Sequence, residues 1–296
     1  MEIRPAVPDD AEAVSALRRA TFSYSVMSPA STRHLIEVHS PAEKFLGLVA
    51  ISGGELVAWG ATGLNTWTSE EGQAGISIYV HPEHRRQGIA DALAKPLHDH
   101  LAEIGAVRVR TLAEPGGVEF AKRFGYDGTR QMHYSGVDPR VLPERPPAPD
   151  GIELVTMDTL DARQAYTADA VATLDEPSDS PADAIDYDDW VREVWESPAL
   201  DKSLGVAAMA GDEVAAFSAI ETDGDRAWSA MTGSIPAYRG RGLAKLAKWE
   251  ALRRCADAGI VGAFTSNDDE NGPMLAVNNW LGYRRVQTQT GLLRTL

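Results

Sequence analysis

The chain has 296 residues, of which 44% are hydrophobic and 24% charged, with a formal net charge of −15 and a single cysteine. This length fits two domains that each bury a core, and the acidic balance argues against broad nucleic-acid binding. One cysteine excludes an intramolecular disulfide. Neither a membrane-spanning run nor a signal peptide is evident, so we predict a cytoplasmic protein with no membrane partner. A cationic substrate is compatible with the charge, although solubility is the simpler explanation.

The chain repeats itself on either side of a proline-rich stretch. Its opening, MEIRPAVPDDAEAVSAL, resembles GIELVTMDTLDARQAY, and the hairpin GGELVAWGA at 53–61 matches GDEVAAFSA at 211–219. The repeat predicts an N-terminal module over 1–138, an extended linker over 139–151 and a C-terminal module over 152–296. In each module the sequence pattern predicts a strand, two helices, three antiparallel strands, a helix, a strand, a helix and a final strand or strands. This order indicates an α/β (α+β) fold with a mixed sheet.

A glycine- and arginine-rich loop occurs once in each module, as VHPEHRRQGIA from Val80 and as SIPAYRGRGLA from Ser234. Each loop follows a predicted strand and precedes a predicted helix. In the second copy, apolar residues recur at helical spacing from Leu243, and Gly259 is a suitable C-terminal stop. The loop therefore lies at a helix N-terminus, where free amides and the helix dipole favour an anion.

The residues of this loop suit a diphosphate. Gly240 and Gly242 would let a phosphate approach the backbone, while Arg239 and Arg241 would add positive charge. The pattern is neither a Walker loop nor a dinucleotide fingerprint. An arginine-rich helix cap without a ligand is the alternative, and the repetition of the loop in the same context favours the ligand.

Arg239-x-x-Gly242-x-Ala244 and Arg85-x-x-Gly88-x-Ala90 resemble the Arg/Gln-x-x-Gly-x-Gly/Ala signature of the GCN5-related N-acetyltransferases (GNAT). The segment TSNDDENGPMLAVNNWLGY resembles the fifth strand, fourth helix and Leu-Gly-Phe/Tyr motif of that family. The resemblance implies two tandem acyl-CoA N-acyltransferase domains that bind acetyl-CoA, and no metal. The implied cofactor-binding residues are Ser234, Ile235, Arg239, Gly240, Arg241, Gly242, Leu243, Ala244, Asn267 and Asn271, with Ile78, Val80, Arg85, Arg86, Gln87, Gly88, Ile89 and Ala90 in the first module.

The family reaction needs a backbone amide that polarises a thioester carbonyl, and the resemblance places it near Thr232 and Ser234. The family's usual acidic tyrosine is replaced by Asn278, which could hydrogen-bond to a ligand, cap its helix or face solvent. All seven histidines, His133 being the last, lie in the first module. Glu221 is therefore the predicted base of the second module, unless it is a strand-end carboxylate in solvent.

The second module has the fuller signature and the longer fourth-helix motif, so we predict that it performs the chemistry on a small primary amine. The acidic run at 174–190, which contains Asp186, Asp188 and Asp189, would favour a cationic amine, although a solvated loop explains it equally well. Two other functions are open. One is an acyl-CoA-binding or sensing protein without turnover, and the other is a mycothiol synthase, whose two-module plan is similar.

Overall fold

The computed structural model describes residues 1–296, and they form two compact units. Unit 1 contains residues 1–132 and 288–296, and unit 2 contains residues 133–287. No helix of the protein is both long enough and apolar enough to cross a lipid bilayer.

In unit 1, four antiparallel strands are followed by a helix and a strand parallel to the fourth. One face of this sheet packs against the helix that follows the fourth strand, Ile89–Glu103. The elements are β1 (Glu2–Pro5), α1 (Ala11–Thr21), α2 (Pro29–Glu37), β2 (Leu46–Ser52), β3 (Glu55–Leu64), β4 (Gln73–Val80), α3 (Ile89–Glu103), β5 (Arg108–Ala113), α4 (Val118–Arg123) and β6 (Asp127–Val137).

Unit 2 repeats this order, which confirms the predicted mixed α/β fold. A single π-helical turn over Val191–Trp195 follows its second helix. The elements are β7 (Glu153–Thr156), α5 (Ala162–Thr173), α6 (Tyr187–Trp190), β8 (Val206–Ala210), β9 (Glu213–Asp223), β10 (Arg226–Ser234), α7 (Leu243–Asp257), β11 (Gly262–Asp268), α8 (Gly272–Leu281) and β12 (Arg284–Thr295). The predicted hairpins are present, because two residues join β2 to β3 and two join β8 to β9.

Local sequence explains how the helices of unit 2 begin and pack. Asp161 and Gln164 form a reciprocal capping box at the start of α5. In α7 the residues Leu246, Ala247 and Leu252 are fully buried against the sheet, as the helical spacing predicts.

The compact units depart from the limits of the predicted modules at their last strands. Residues 288–296 belong to unit 1, where Thr290–Thr295 pair antiparallel with Ala113–Arg108 of β5. Residues 133–137 of β6 belong to unit 2 and lie next to β11 in strand order. Without these segments β5 and β11 would each present a row of unpaired backbone groups. Sequence similarity marks the repeat but does not show which segment pairs with each edge.

The proline-rich linker has no regular secondary structure, as predicted, but part of it is packed. The Trp249 indole Nε1 donates a hydrogen bond to the Pro143 carbonyl, 2.8 Å away, and Leu142 lies against the hydrophobic core of unit 2. The expectation that this stretch lies apart from the core is therefore wrong at these two residues. Prolines lack a backbone N–H and keep this stretch out of a helix or sheet, so its carbonyls can accept hydrogen bonds from side chains.

The two signature loops have the same backbone conformation but not the same residues. Gly242 and Gly88 precede α7 and α3 with φ of 76° and 81°. Two residues earlier, Gly240 has φ of 74°, whereas Arg86 occupies the equivalent left-handed position with φ of 65°. A side chain in this region costs about 1–2 kcal/mol, so the first loop is strained where the second is not.

We therefore expect Gly240→Ala to lower the stability of the protein by about 1 kcal/mol. The reverse exchange, Arg86→Gly, should raise stability by about 0.5 kcal/mol, because relief of strain outweighs the added freedom of the unfolded chain. Urea unfolding monitored by tryptophan fluorescence measures both changes. Destabilisation by Arg86→Gly would contradict the strain.

Candidate active site

The loop before α7 forms an open cradle of backbone amides. Gly242 caps α7 without any side-chain hydrogen bond, and the first helical bond runs from the Leu246 amide to the Gly242 carbonyl, 3.0 Å. The amides of residues 243–245 are therefore left without helical acceptors. A Cβ built on Gly240 or Gly242 would meet no atom within 4 Å, so the loop surface is open to a bulky anion.

The loop before α3 in unit 1 is built in the same way. Gly88 caps α3 without a side-chain bond, and the Ala92 amide donates to the Gly88 carbonyl, 3.1 Å away. Both predicted diphosphate sites thus have the backbone arrangement that an anion needs.

The first arginine of each signature ties its loop to the end of the preceding strand. Arg239 Nε donates to the Ser234 carbonyl at 3.4 Å, and its guanidinium pairs with Asp175. Arg85 Nε donates to the Val80 carbonyl at 3.2 Å and pairs with Glu114 at 3.4 Å. These guanidinium groups hold the loops in shape in addition to any contact with a ligand.

The other loop side chains remain at the surface. Arg241 is exposed and lies 5.6 Å from the centre of the Tyr238 ring. Arg86 is exposed, and the exposed Gln87 donates to the Glu83 carbonyl at 3.4 Å. Arg241 is therefore the loop cation best placed to reach an anion at the N-terminus of α7.

A cleft opens where β10 separates from β11. The parallel pairing covers only Arg226–Trp228 and Gly262–Phe264, although β10 continues to Ser234. We call the point of separation, after Trp228, the vertex of the cleft. At about 3.3 Å per residue, the unpaired edge of β10 runs for roughly 20 Å from the vertex to the amide cradle. In unit 1, β4 and β5 separate in the same way after Gly75.

Strand alternation determines which amides face the cleft. The Ile235 amide donates to the Ala215 carbonyl of β9, 3.1 Å away, so its hydrogen-bonding capacity is already used. Alternation then directs the amides of Ser234 and Thr232 to the free edge of β10. In unit 1 the bond from the His81 amide to the Val57 carbonyl, 2.9 Å, places Ile78 and Val80 equivalently.

A β-bulge distinguishes the cleft of unit 2 from that of unit 1. The register of β10 on β9 shifts by one residue between Ser229 and Thr232, whereas β4 pairs with β3 without interruption. A bulge leaves an extra residue unpaired and bends the strand, which re-aims its backbone groups. Only unit 2 has a β-bulge beside the vertex of its cleft.

The three asparagines predicted in unit 2 have different roles. Asn271 caps α8 by accepting from the Met274 amide at 3.3 Å, so its side chain is used structurally. Asn278 is 4% exposed and donates from Nδ2 to Asn267 Oδ1 at 2.6 Å, while its own Oδ1 has no protein partner. The alternative that Asn278 caps its helix or faces solvent is wrong, because α8 turns this side chain towards the sheet.

Glu221 lies on the face of the sheet opposite α7. Its neighbour Ile220 packs with α7, so alternation along β9 directs Glu221 towards the face covered by α5. It is paired across the strands with Trp228, and desolvation raises the pKa of its carboxyl to about 7. The side chain is half-buried and not open to solvent, which agrees with the direction of this shift.

One histidine is in unit 2, contrary to the expectation from the sequence. His133 lies on β6 within unit 2 and is 9% exposed. Desolvation first, and then the charge of Arg285, lower its pKa, so the ring is neutral at pH 7. The repeat pattern places His133 in the first module, whereas in the structure the last residues of β6 belong to unit 2.

Two of the three aspartates in the acidic run have structural partners. Asp186 caps α6 by accepting from the amides of Asp188 and Asp189 at 2.9 and 3.0 Å, and Asp189 pairs with Arg192. The Asp188 side chain is exposed. Attraction of a cationic amine by this run stays a prediction, and Asp188 is the residue that could contribute to it without giving up a cap or an ion pair.

The sequence pattern does not reveal a buried lysine in α7. Lys248 is 1% exposed in the middle of α7, with Nζ 5.2 Å from the centre of the Tyr283 ring. Burial lowers the pKa of its amine to about 7. The only sequence signal is a lysine in the apolar row of a helix, which is easily read as a side chain that extends to solvent.

The two copies differ most in the polar residues around the vertex. Register and spacing match five polar residues of unit 2 to apolar or small residues in unit 1. The pairs are Ser229 with Ile76, Glu221 with Gly63, Lys248 with Ala94, Asn267 with Ala113 and Asn278 with Ala121. Unit 1 has the cradle and the separated strands, but its vertex lacks titratable groups at these positions.

Comparison with protein families agrees with this geometry. Residues 11–126 match the acetyltransferase (GNAT) family, and residues 150–265 match a second acetyltransferase (GNAT) domain. The chain belongs to the GNAT acetyltransferase family. It is an N-acetyltransferase with two such domains in tandem, as the resemblance implied.

Curated relatives carry the name mycothiol acetyltransferase. The protein from Nocardiopsis dassonvillei is 26% identical, over 96% of this chain and 94% of its own length. The protein from a Nocardioides species is 25% identical, over 73% of this chain and 79% of its own length.

Solved structures share the fold over the whole chain. A tandem GNAT protein from the clavulanic acid biosynthesis pathway has a TM-score of 0.70 at 19% identity, covering 99% of this chain and 98% of its own. A GCN5-related N-acetyltransferase from Sphaerobacter thermophilus has a TM-score of 0.72 at 18% identity, covering 99% and 95%. At these identities the likeness concerns the fold.

The burial of Lys248 predicts a pH-dependent stability. Between pH 7 and about 10, the unfolded chain holds a proton on this lysine that the folded protein does not hold. Stability should therefore rise with pH across that window, by up to about 1.4 kcal/mol per pH unit. Lys248→Met removes the buried amine, so the variant should be more stable than the parent at pH 6, and this advantage should shrink towards pH 10.

Urea unfolding of parent and variant at pH 6, 8 and 10 measures this difference. Other groups titrate equally in both proteins and cancel in the comparison. A stability difference that is independent of pH would show that the amine is solvated.

Proposed function

We propose that the protein is an acetyl-CoA-dependent N-acetyltransferase that acetylates a primary amine of a small molecule, with the chemistry in unit 2. The observation that supports this choice most is the β-bulge between Ser229 and Thr232 of β10. It lies directly after the point where β10 separates from β11. Unit 1 has an anion cradle but no bulge. We infer that unit 1 retains a site shaped for the cofactor without these catalytic features.

The residues of unit 2 fit acetyl-CoA. The free amides after Gly242, with Arg241 nearby, would hold the diphosphate, and the unpaired edge of β10 would hold the pantetheine arm. Bound acetyl-CoA would supply the activated thioester. The Thr232 amide on the free edge is placed to polarise a carbonyl, and such a donor contributes roughly 3 kcal/mol to catalysis in comparable sites.

Glu221 is the proposed general base. A carboxyl with a pKa of about 7 can accept a proton from an ammonium group near neutral pH, directly or through one water. His133, which is neutral at pH 7, is the second group in unit 2 that could take a proton. It lies on a different strand, β6, so substitution of each residue separates the two roles.

The acceptor is proposed only as a small primary amine. The name shared by the curated relatives makes a sugar-linked cysteinyl amine the first compound to test, beside simple cationic amines. Coenzyme A release across this panel identifies the acceptor. Binding of acetyl-CoA without release for any amine would favour a binding or sensing protein instead.

Calorimetric titration of acetyl-CoA tests the location of the working site. Gly242→Glu should abolish binding in unit 2, because the carboxylate adds bulk and negative charge to the cradle. Gly88→Glu is the matched change in unit 1 and should leave coenzyme A release intact. Loss of turnover in Gly88→Glu alone would move the chemistry to unit 1.

The pH profile of turnover tests the base. We expect kcat/KM to rise with pH up to about 7, because Glu221 must lose its proton to act as a base. Glu221→Gln should lower kcat/KM by roughly 10²–10⁴-fold and remove this rise. If Glu221→Gln retains the rise and His133→Gln abolishes it, the base is the histidine.

A further inference from the structure

Two arginines of unit 1 are half-buried without an acidic partner. Arg18 lies on α1 and Arg110 on β5, and the Nε atom of each is shielded from solvent without a hydrogen-bond acceptor. Neither guanidinium forms an ion pair. The arginine side chain is always charged, and withdrawing that charge from water is costly unless an anion compensates it. Two such groups suggest an anionic ligand, provided that they face the same space.

Both arginines face the side of the sheet that carries α1. Val109, the neighbour of Arg110 on β5, packs in the core formed with α3, so strand alternation directs Arg110 to the opposite side. The Arg18 guanidinium carbon lies 5.0 Å from the centre of the Tyr79 ring, and Tyr79 packs on the core between α1 and the sheet.

Arg110 lies at the point where β4 and β5 separate. Its partner Gly75 is the last residue of β4 that pairs with β5, and a Cβ built on Gly75 would meet no atom within 4 Å. The space beside Arg110 is therefore open. Tyr79 lies four residues further along β4 on the same face, about 13 Å away. The two guanidinium groups thus mark the two ends of the gap between the strands.

Aromatic side chains span this gap on the side of α1. The hydroxyl of Tyr24, in the segment after α1, accepts a hydrogen bond from Gln289 Nε2 of β12 at 2.8 Å. Phe22 packs against both Tyr24 and Tyr79, with ring centres 5.4 and 5.1 Å apart. These contacts run from β12, which pairs with β5, to β4, so they form a wall over the cleft between the two arginines.

A carboxylate in the same row of the sheet has another partner. Glu43 covers Gly63, which pairs with Gly75 from the side of β3, and its Oε2 is 3.1 Å from His39 Nδ1. Glu43 thus contacts the histidine and makes no ion pair with Arg110, which leaves the guanidinium without a counter-ion inside the domain.

Unit 2 has a different character at the corresponding positions. Counted from the first residue of each helix, Arg18 of α1 matches Asp169 of α5, which is buried and accepts from Trp190 Nε1 at 2.6 Å. By strand register, Arg110 matches Phe264. The same fold is therefore built without either arginine, and packing does not explain their presence in unit 1.

We propose that unit 1 binds a small organic anion with two acidic groups, carboxylate or phosphate, between Arg110 and Arg18. Guanidinium groups hold carboxylates and phosphates through paired N–H donors, and the wall of Phe22 and Tyr24 suits the apolar body of such a molecule. The site lies on the face opposite α3, whereas the Gly88 cradle lies at the N-terminus of α3. The inference goes beyond the proposed function and does not depend on turnover in unit 2.

Isothermal titration calorimetry with the full chain tests this site. The probes are the dicarboxylates malonate, succinate, glutarate and adipate, and phosphoglycolate as a phosphate ester. We expect the parent to bind at least one probe, and Arg18→Gln and Arg110→Gln should each weaken binding at least about tenfold, because each removes a charge-assisted interaction. Arg123→Gln is the matched control. It removes the same charge from an exposed arginine that pairs with Asp91 of α3, so binding should be unchanged.

Circular dichroism identifies the variants that are folded. Arg18→Lys and Arg110→Lys keep the charge but lose the paired donors, so they should also weaken binding and replace a glutamine variant that does not fold. Binding of a dicarboxylate, or of phosphoglycolate alone, upholds the site and distinguishes a carboxylate ligand from a phosphate ester. Equal affinities in the parent, Arg18→Gln and Arg110→Gln would place the anion at an amide cradle and overturn the proposal. Failure of every probe to bind the parent would overturn it as well.

Discussion

The early separation of β10 from β11 determines where the cleft of unit 2 opens. The two strands are paired over three residues, and beyond that point β10 has backbone groups facing a cleft instead of a neighbouring strand. Unpaired backbone groups need other partners. The bulge and the amide cradle both lie along β10 beyond this point, so one departure from regular pairing leaves an open strand edge beside them.

The two copies show which features belong to the fold and which occur in unit 2 alone. Both have the strand divergence, the left-handed glycine before the long helix and an arginine that binds the strand-end carbonyl. These features are therefore properties of the fold. The bulge next to the diverging strands and the polar residues matched to Ile76, Gly63, Ala94, Ala113 and Ala121 occur in unit 2 alone, and burial of polar groups has an energetic cost. An expense of this kind is typical of functional sites.

Burial decides the chemical character of two ionisable groups of unit 2. The carboxyl of Glu221 and the amine of Lys248 are both brought to a pKa of about 7 by desolvation, from opposite directions. The two groups lie on different elements, β9 and α7, and Glu221 faces away from α7.

Local sequence alone is enough to predict the fold class, the repeat, the hairpins and the glycine loops before α3 and α7. These features depend on local spacing, such as glycine at a left-handed position before a helical apolar row, and local spacing is fully visible in the chain. Three other features follow only from the three-dimensional structure: residues 133–137 complete unit 2, Asn278 is buried, and Lys248 lies over the Tyr283 ring. Each depends on pairing or packing between residues distant in sequence, and the desolvation that shifts a pKa exists only after those contacts form.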